Sequence, residues 1–291
     1  MLAVRWIATL VLLLGVAWWL DMPRLLSEFG RFPAWVLVPA VALSVVQVCV
    51  SAWRWRYTAR CLDLGLPYAV AVREYYLATF LNQVLPGGVM GDVNRAWRHS
   101  LDTTSRLASV HAVVIERLSG QLVLVALATV LCMINQLPAL PVLGVGLVAV
   151  MAVMVVVLGT QRFRYGRRLA RDLRAGLLRW PVGLIQLLSS ALVVGSYLAV
   201  FVVLAFGAGY LEDGQSMLVL LALCSGLLLS MVIPVTVAGW GVRESAAAFL
   251  WPLAGLPAEQ GVALSVGYGL LVLLASLPGA LFTFSSVAVA R

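Results

Sequence analysis

The sequence predicts an all-α polytopic membrane protein, with about six full spans and two re-entrant broken hairpins arranged as an inverted repeat. Three observations predict it. The 291-residue chain is 63% hydrophobic and only 11% charged, and several stretches pass the ~18-residue apolar length of a transmembrane helix. One short segment occurs twice: 81–95 reads LNQVLPGGVMGDVNR and 229–243 reads LSMVIPVTVAGWGVR. At an offset of 148 the copies share Leu81/Leu229, Val84/Val232, Pro86/Pro234, Val89/Val237, Gly91/Gly239 and Arg95/Arg243. Both copies interrupt an apolar stretch with Pro and Gly and then place an Arg, and paired interruptions of this kind mark the binding site in transporters built from two halves.

The first span is expected at about 4–20, retained rather than cleaved, because its small residues are followed by Trp18–Trp19–Leu20. A polar stretch, 21–32, precedes a second span at about 33–53, which ends in Arg54, Arg56 and Arg60. The first hairpin is 68–100, broken at Pro86–Gly91, with a helix starting near Asp92 as N-cap. A third span follows at about 107–134 and a fourth at about 142–160. Residues 161–180 form an Arg-rich loop with seven arginines against Asp172. The fifth span is about 181–210, the second hairpin is 215–255, and the last span is about 261–290. Trp18, Trp19, Trp53, Trp55, Trp180 and Trp251 fall near segment ends, as interfacial aromatic belts do.

Arginine in short loops sets orientation. With 161–180 cytoplasmic, both termini are cytoplasmic and Glu212–Asp213 lies outside. The two hairpins then enter from opposite sides. The chain parses as one membrane domain, 1–291, of two repeats, 4–134 and 142–290, in the inner (cytoplasmic) membrane. The alternative makes each hairpin two true spans, up to ten crossings. The net charge of +8 reads as membrane topology, and no nucleic acid is expected as a partner. All twenty basic residues are Arg, whose planar fork suits phosphate oxygens. Cys49, Cys61, Cys132 and Cys224 have no CxxC spacing, so neither metal nor disulfide roles are expected of them; no cofactor is expected. His99 and His111 read as polar fillers.

Broken backbone at membrane depth must face protein or a wet cavity. The breaks, hinged at Pro86 and Pro234, are therefore expected to line one, with Gly87, Gly88, Gly91, Gly239 and Gly241 letting a ligand approach the backbone. The helix starts beyond them offer free N–H groups, with Arg95 and Arg243 in their first turns. Competing with this is plain kinking with positive-inside anchors. Glu116–Arg117 lies about ten residues inside an apolar helix, where such charge costs ~2.5–3.5 kcal/mol per residue. A cavity wall is expected there, with Ser109, Ala112, Ser119 and Gly120 on the same stripe; the alternatives are a structural ion pair, or a later helix start that leaves Glu116 near the surface. Arg243–Glu244 repeats the chemistry in the other half, and Glu116 or Glu244 can cross-pair with these arginines. Asp92 either caps its helix, competing with phosphate, or holds a coupling cation. Arg73–Glu74 reads as interfacial.

At these residues the chain resembles the lysylphosphatidylglycerol synthase transmembrane, or flippase-like, family, which includes the membrane half of the multiple peptide resistance factor. The resemblance rests on RWRYTARCLDLGL (54–66), LNQVLPGGVMGDVNRAW (81–97), VVIERLSG (113–120) and VAGWGVRE (237–244). Met90 and Ala238 depart from the usual glycine-rich form. The resemblance implies movement of anionic or phosphate-bearing lipids, of phospholipid or polyprenyl-phosphate type, between leaflets. The chain ends at Arg291, so the aminoacyl transfer of larger relatives is not expected of it. Two other classes stand beside a flippase: a non-transporting partner of an envelope-synthesis enzyme, and an enzyme acting on a polyprenyl phosphate. The chain is expected not to be an enzyme, with no catalytic residues assigned. A second copy of the chain and an envelope-synthesis enzyme are the protein partners left open.

Overall fold

A computed structural model describes residues 2–85, 88–103, 105–137, 164–211, 216–232 and 236–283. The expected fourth span, the hinges Pro86 and Pro234, Gly87, Glu212–Asp213 and Arg291 lie outside them. The described chain is nearly all helical. Helix α1 (Leu2–Trp19) is one unbroken, mostly apolar helix. It turns by 99° into α2 (Met22–Gly30), a helix where the sequence reading had only a polar stretch. The signals for α2 are local: Asp21 accepts a hydrogen bond from the Arg24 backbone at 3.4 Å, and Pro23 occupies the first turn.

Helix α3 (Leu37–Cys61) runs eight residues beyond the expected end at Trp53, because Arg54 finds a buried partner rather than water. The first broken segment separates α4 (Tyr68–Val84) from α5 (Met90–Leu101). Helix α6 (Arg106–Ile134) follows, capped by the Ser105 hydroxyl. The Arg-rich segment is helix α7 (Arg164–Leu173) and a π-helical turn, Arg174–Leu178. Then come α8 (Val182–Gly207), α9 (Met217–Ser230), α10 (Val242–Leu253) and α11 (Ala258–Ser276), continued by a 3₁₀ turn, Leu277–Phe282.

Among the described residues, four helices are long and apolar enough to cross a membrane: Ala34–Cys61, Arg106–Ile134, Val182–Gly207 and Ala258–Phe282. The bent pair α1–α2 is a fifth if it counts as one span. The arms of the two broken segments are shorter. At 1.5 Å per residue, α4 with 17 residues reaches about 26 Å, below the ~30 Å hydrocarbon core. Helices α5, α9 and α10, with 12, 14 and 12 residues, are shorter still.

The two ends of the chain cross over. Helix α1 packs on α10, and the Leu277–Phe282 turn packs on α4. Thr9 Oγ1 accepts from the Val237 backbone N–H at 3.1 Å, fixing α1 to the second break. One hydrophobic cluster gathers α2, α6 and α8–α11, and a smaller one gathers α3–α6 around Trp55 and Tyr75. Trp55 and Trp251, expected at the interface, are fully buried. Trp55 lies under a guanidinium and Trp251 against Gly261.

Gly91 sets the closeness of α4 and α5. A Cβ there would overlap the Ala78 carbonyl, which belongs to backbone and has no rotamer to yield. Gly91→Ala is therefore expected to destabilise the protein by about 1–3 kcal/mol, the usual range for overpacking, read as a lowered thermal midpoint in detergent. An unchanged midpoint would place α5 elsewhere.

Candidate functional site

The first broken segment carries a charge network into the helix bundle. Asp92 lies in the first turn of α5, three residues inside the helix rather than at its cap. Arg95 lies one turn further on. Its Nε donates to Asp92 Oδ1 at 2.9 Å and its Nη2 to Glu116 Oε2 at 2.7 Å. The guanidinium is sandwiched between Trp55, with ring centre 4.9 Å away, and Tyr75, at 4.5 Å. Arg117 Nη2 bridges both Asp92 oxygens at 2.9 and 2.8 Å. Arg54, from α3, donates through Nη2 to the Glu116 carbonyl at 2.8 Å and to Ser119 Oγ at 2.7 Å, with Nη1 3.6 Å from Glu116 Oε1. The Tyr75 hydroxyl donates to the same Oε1 at 3.3 Å. Asn82 completes the break, donating to Asp92 Oδ2 at 3.3 Å and accepting the Gly91 N–H at 2.7 Å.

Three guanidiniums thus face two carboxylates. Arginine stays protonated in any protein environment, so the cluster holds one positive charge more than its acids balance.

The second broken segment is self-contained. Gly241, at φ +85°, caps α10 in a conformation that favours glycine, and its N–H donates to Glu244 Oε2 at 2.7 Å. Arg243 donates to Glu244 Oε1 at 2.8 Å and to Ser265 Oγ at 2.7 Å. Trp240 and Tyr268 flank its guanidinium at 5.0 and 5.6 Å. Arg95 and Arg243 therefore share one setting: a carboxylate and two aromatic faces.

Between the two breaks lies a cavity of about 230 Å³. Gly88 lines it from the first break and Thr236, Ala238 and Gly239 from the second. Arg54, Glu116 and Arg117 supply its charge, and Arg117 keeps 41% of its side chain exposed there. Arg95 and Arg243 are not among its lining residues; each is buried behind the wall in its own ion pair. Gly91 serves helix packing and Gly241 helix capping. Glu244 pairs with Arg243, while Asp92 is held by Arg95, Arg117 and Asn82. Of the expected cross-pairs, Glu116–Arg95 forms and Glu244 stays with its own neighbour. Glu74, expected at the interface, is buried between Arg73 and Arg98 and ties α4 to α5.

Arg54 is the functional candidate the sequence reading left at the interface. Its signal was present: Ser44, Gln47, Ser51, Arg54 and Thr58 recur every three or four residues along α3, and all five are buried. Gln47, Asn82, Gln83, Gln121 and Tyr197 also line the cavity. Within it Arg54 Nε, Arg117 Nε, Gln121 Oε1 and Thr236 Oγ1 are buried without a hydrogen-bond partner among the described residues. Such groups are costly to leave unmet.

Comparison with curated proteins finds no match. Residues 6–279 match the family described as the lysylphosphatidylglycerol synthase TM region, and the chain belongs to that family of lipid-related membrane proteins.

Proposed function

We propose that this chain moves the phosphate-bearing head group of an anionic lipid between membrane leaflets, through the cavity between its two broken segments. The observation that carries this is the cavity's wall. Both breaks contribute to one chamber, and that chamber contains arginine in excess of acid. Buried charge in a membrane protein normally marks a substrate path. A phosphodiester carries the single negative charge that would neutralise the excess, and Arg117, partly exposed and bound among the described residues only to Asp92, is the group best placed to exchange one oxyanion for another. At about 230 Å³ the cavity is smaller than the ~300–1,000 Å³ of sites that enclose whole ligands, so acyl tails stay in hydrocarbon while the head group crosses.

In this reading the short arms α4–α5 and α9–α10 are re-entrant hairpins of an inverted repeat, and the crossed packing of the chain's ends couples the halves. Transport rather than bond chemistry is supported by Glu116. Both its oxygens are taken by Tyr75, Arg54 and Arg95, so it is not poised as a base.

The test is reconstitution into vesicles containing acyl-labelled phosphatidylglycerol, with the protected fraction followed over time. The purified protein is expected to equilibrate the leaflets, and Arg117→Gln to slow this by about tenfold or more, the loss typical of one charge-assisted contact to phosphate. Vesicles with folded protein and no added lipid movement would overturn the reading in favour of a non-transporting partner.

A further inference from the structure

We infer that the arginine-rich face of α7 and its π-helical turn docks onto anionic lipid head groups of the leaflet at that end of the molecule. This surface is separate from the cavity and does not depend on transport. Arg167, Arg168, Arg171, Arg174 and Arg179 are exposed, and among the described residues none of the five has an ion-pair partner. Arg171, Arg174 and Arg179 line one open groove with Ala175 and Leu178, and Arg167 and Arg168 lie one turn before it. Like charges three and four residues apart destabilise a helix. An anionic surface would relieve that cost. The segment's own acid, Asp172, is turned away, with its carboxylate 2.5 Å from His111 Nδ1 of α6. At the far edge Asp63 and Arg179 both act on Cys61, which trims the excess of five positive charges to four.

The opposite face fixes the segment to the bundle. Gly176 is buried against Ile115 of α6 and Thr58 of α3, and its carbonyl accepts from Gln186 Nε2 of α8 at 3.0 Å. Three membrane-long helices therefore hold the arginines at one end of the molecule, and the docking face is formed before any lipid meets it. The side chains that follow say which surface it meets. Leu178 and Trp180 are 70% and 76% exposed, and the membrane-long helix α8 begins at Val182. An exposed Trp beside arginines, where a span begins, is the composition of the head-group zone, with the ring at the boundary and the guanidinium at phosphate. A solvated charge run explains the arginines but not these two apolar side chains. An acidic protein would also match the charge, but the span at Val182 already puts lipid head groups within reach.

The test is amide hydrogen exchange over residues 167–180 in the full chain, held in nanodiscs of phosphatidylcholine alone or of phosphatidylcholine with phosphatidylglycerol. Exchange there is expected to be about tenfold or more slower in the anionic membrane. The triple variant Arg171→Gln, Arg174→Gln, Arg179→Gln is expected to lose that slowing while keeping a thermal midpoint close to wild type, because all three side chains are exposed. The pair Arg167→Gln, Arg168→Gln provides the same test if the triple variant does not fold. Lys at the three positions is expected to retain the slowing, since a surface potential reads charge rather than the guanidinium fork. Equal exchange of the wild type in the two membranes would overturn the proposal and favour plain solvation or an acidic protein partner. Slowing that persists in the folded Gln variant would also overturn it. Its source would then be phosphatidylglycerol in the cavity, which reaches Gly176 through Arg54, Ser119 and Gln186. Because the readout is local to this face, its failure leaves the transport reading standing, and a failure of transport leaves the docking face standing.

Discussion

Glu116→Ala is expected to destabilise the protein strongly. Among the described residues, the Glu116 carboxylate is the one acid shared by Arg54 and Arg95, and both guanidiniums are buried, at 2% and 0% exposed. Removing it leaves Arg95 with Asp92 alone, while Asp92 must already answer Arg117. Breaking a buried ion pair by deleting one partner costs about 3–5 kcal/mol, enough to consume much of the stability of an ordinary domain. The expected readout is a protein recovered in poor yield, with a thermal midpoint well below wild type. Glu116→Gln keeps the shape and one acceptor oxygen, so it is expected to fall between the two. Equal stability of wild type and Glu116→Ala would mean that Arg54 and Arg95 do not converge on residue 116. Because Glu116, on α6, holds Arg54 of α3, Tyr75 of α4 and Arg95 of α5, its loss also separates the first break from the bundle.

The second large effect concerns Arg243. Charge reversal there places a second carboxylate beside Glu244, with Ser265 as the remaining donor and Trp240 and Tyr268 presenting ring faces. Two adjacent buried acids cannot both stay ionised, and a carboxylate over an aromatic face loses the attraction a cation has. Arg243→Glu is expected to fail to fold, a loss of about 3–5 kcal/mol or more. Arg243→Lys keeps the charge but loses the fork, and is expected to fold with reduced stability. In contrast to Arg117→Gln, Arg243→Lys is not expected to lower transport at constant amounts of folded protein. If folded Arg243→Lys loses transport while keeping its thermal midpoint, Arg243 contacts the head group itself.

Much of this was legible in the sequence because it is written in local signals. Pro and Gly inside apolar runs marked both breaks, and Glu116–Arg117 stood out by the cost of burying charge in an apolar helix. The membrane family was readable from the same motifs. What was not legible depends on contacts between distant elements. Arg95 and Arg243, read as open cradles at helix starts, are closed by Glu116 from α6 and Ser265 from α11, at separations of 21 and 22 residues. Arg54 was read by its position at the end of an expected span, where a positive-inside anchor is the usual occupant. Its place on the polar stripe from Ser44 to Thr58 outweighed that prior. Helix α2 hid inside a stretch judged by polarity, although Asp21 and Pro23 form a standard helix start. Trp55 and Trp251 were assigned by aromatic-belt statistics, which do not distinguish a ring at the lipid boundary from one packed beneath Arg95 or against Gly261.

The central claim is that an oxyanion enters the space between the two breaks and meets Arg117 and Arg54. An experimental structure of the full chain in nanodiscs containing phosphatidylglycerol tests it most directly. The account predicts a phosphate between Gly88 and Gly239, with an oxygen within about 3 Å of an Arg117 or Arg54 nitrogen. Lipid density confined to the outer surface, with Arg117 still wholly bound to Asp92 and the cavity holding only water, would contradict it.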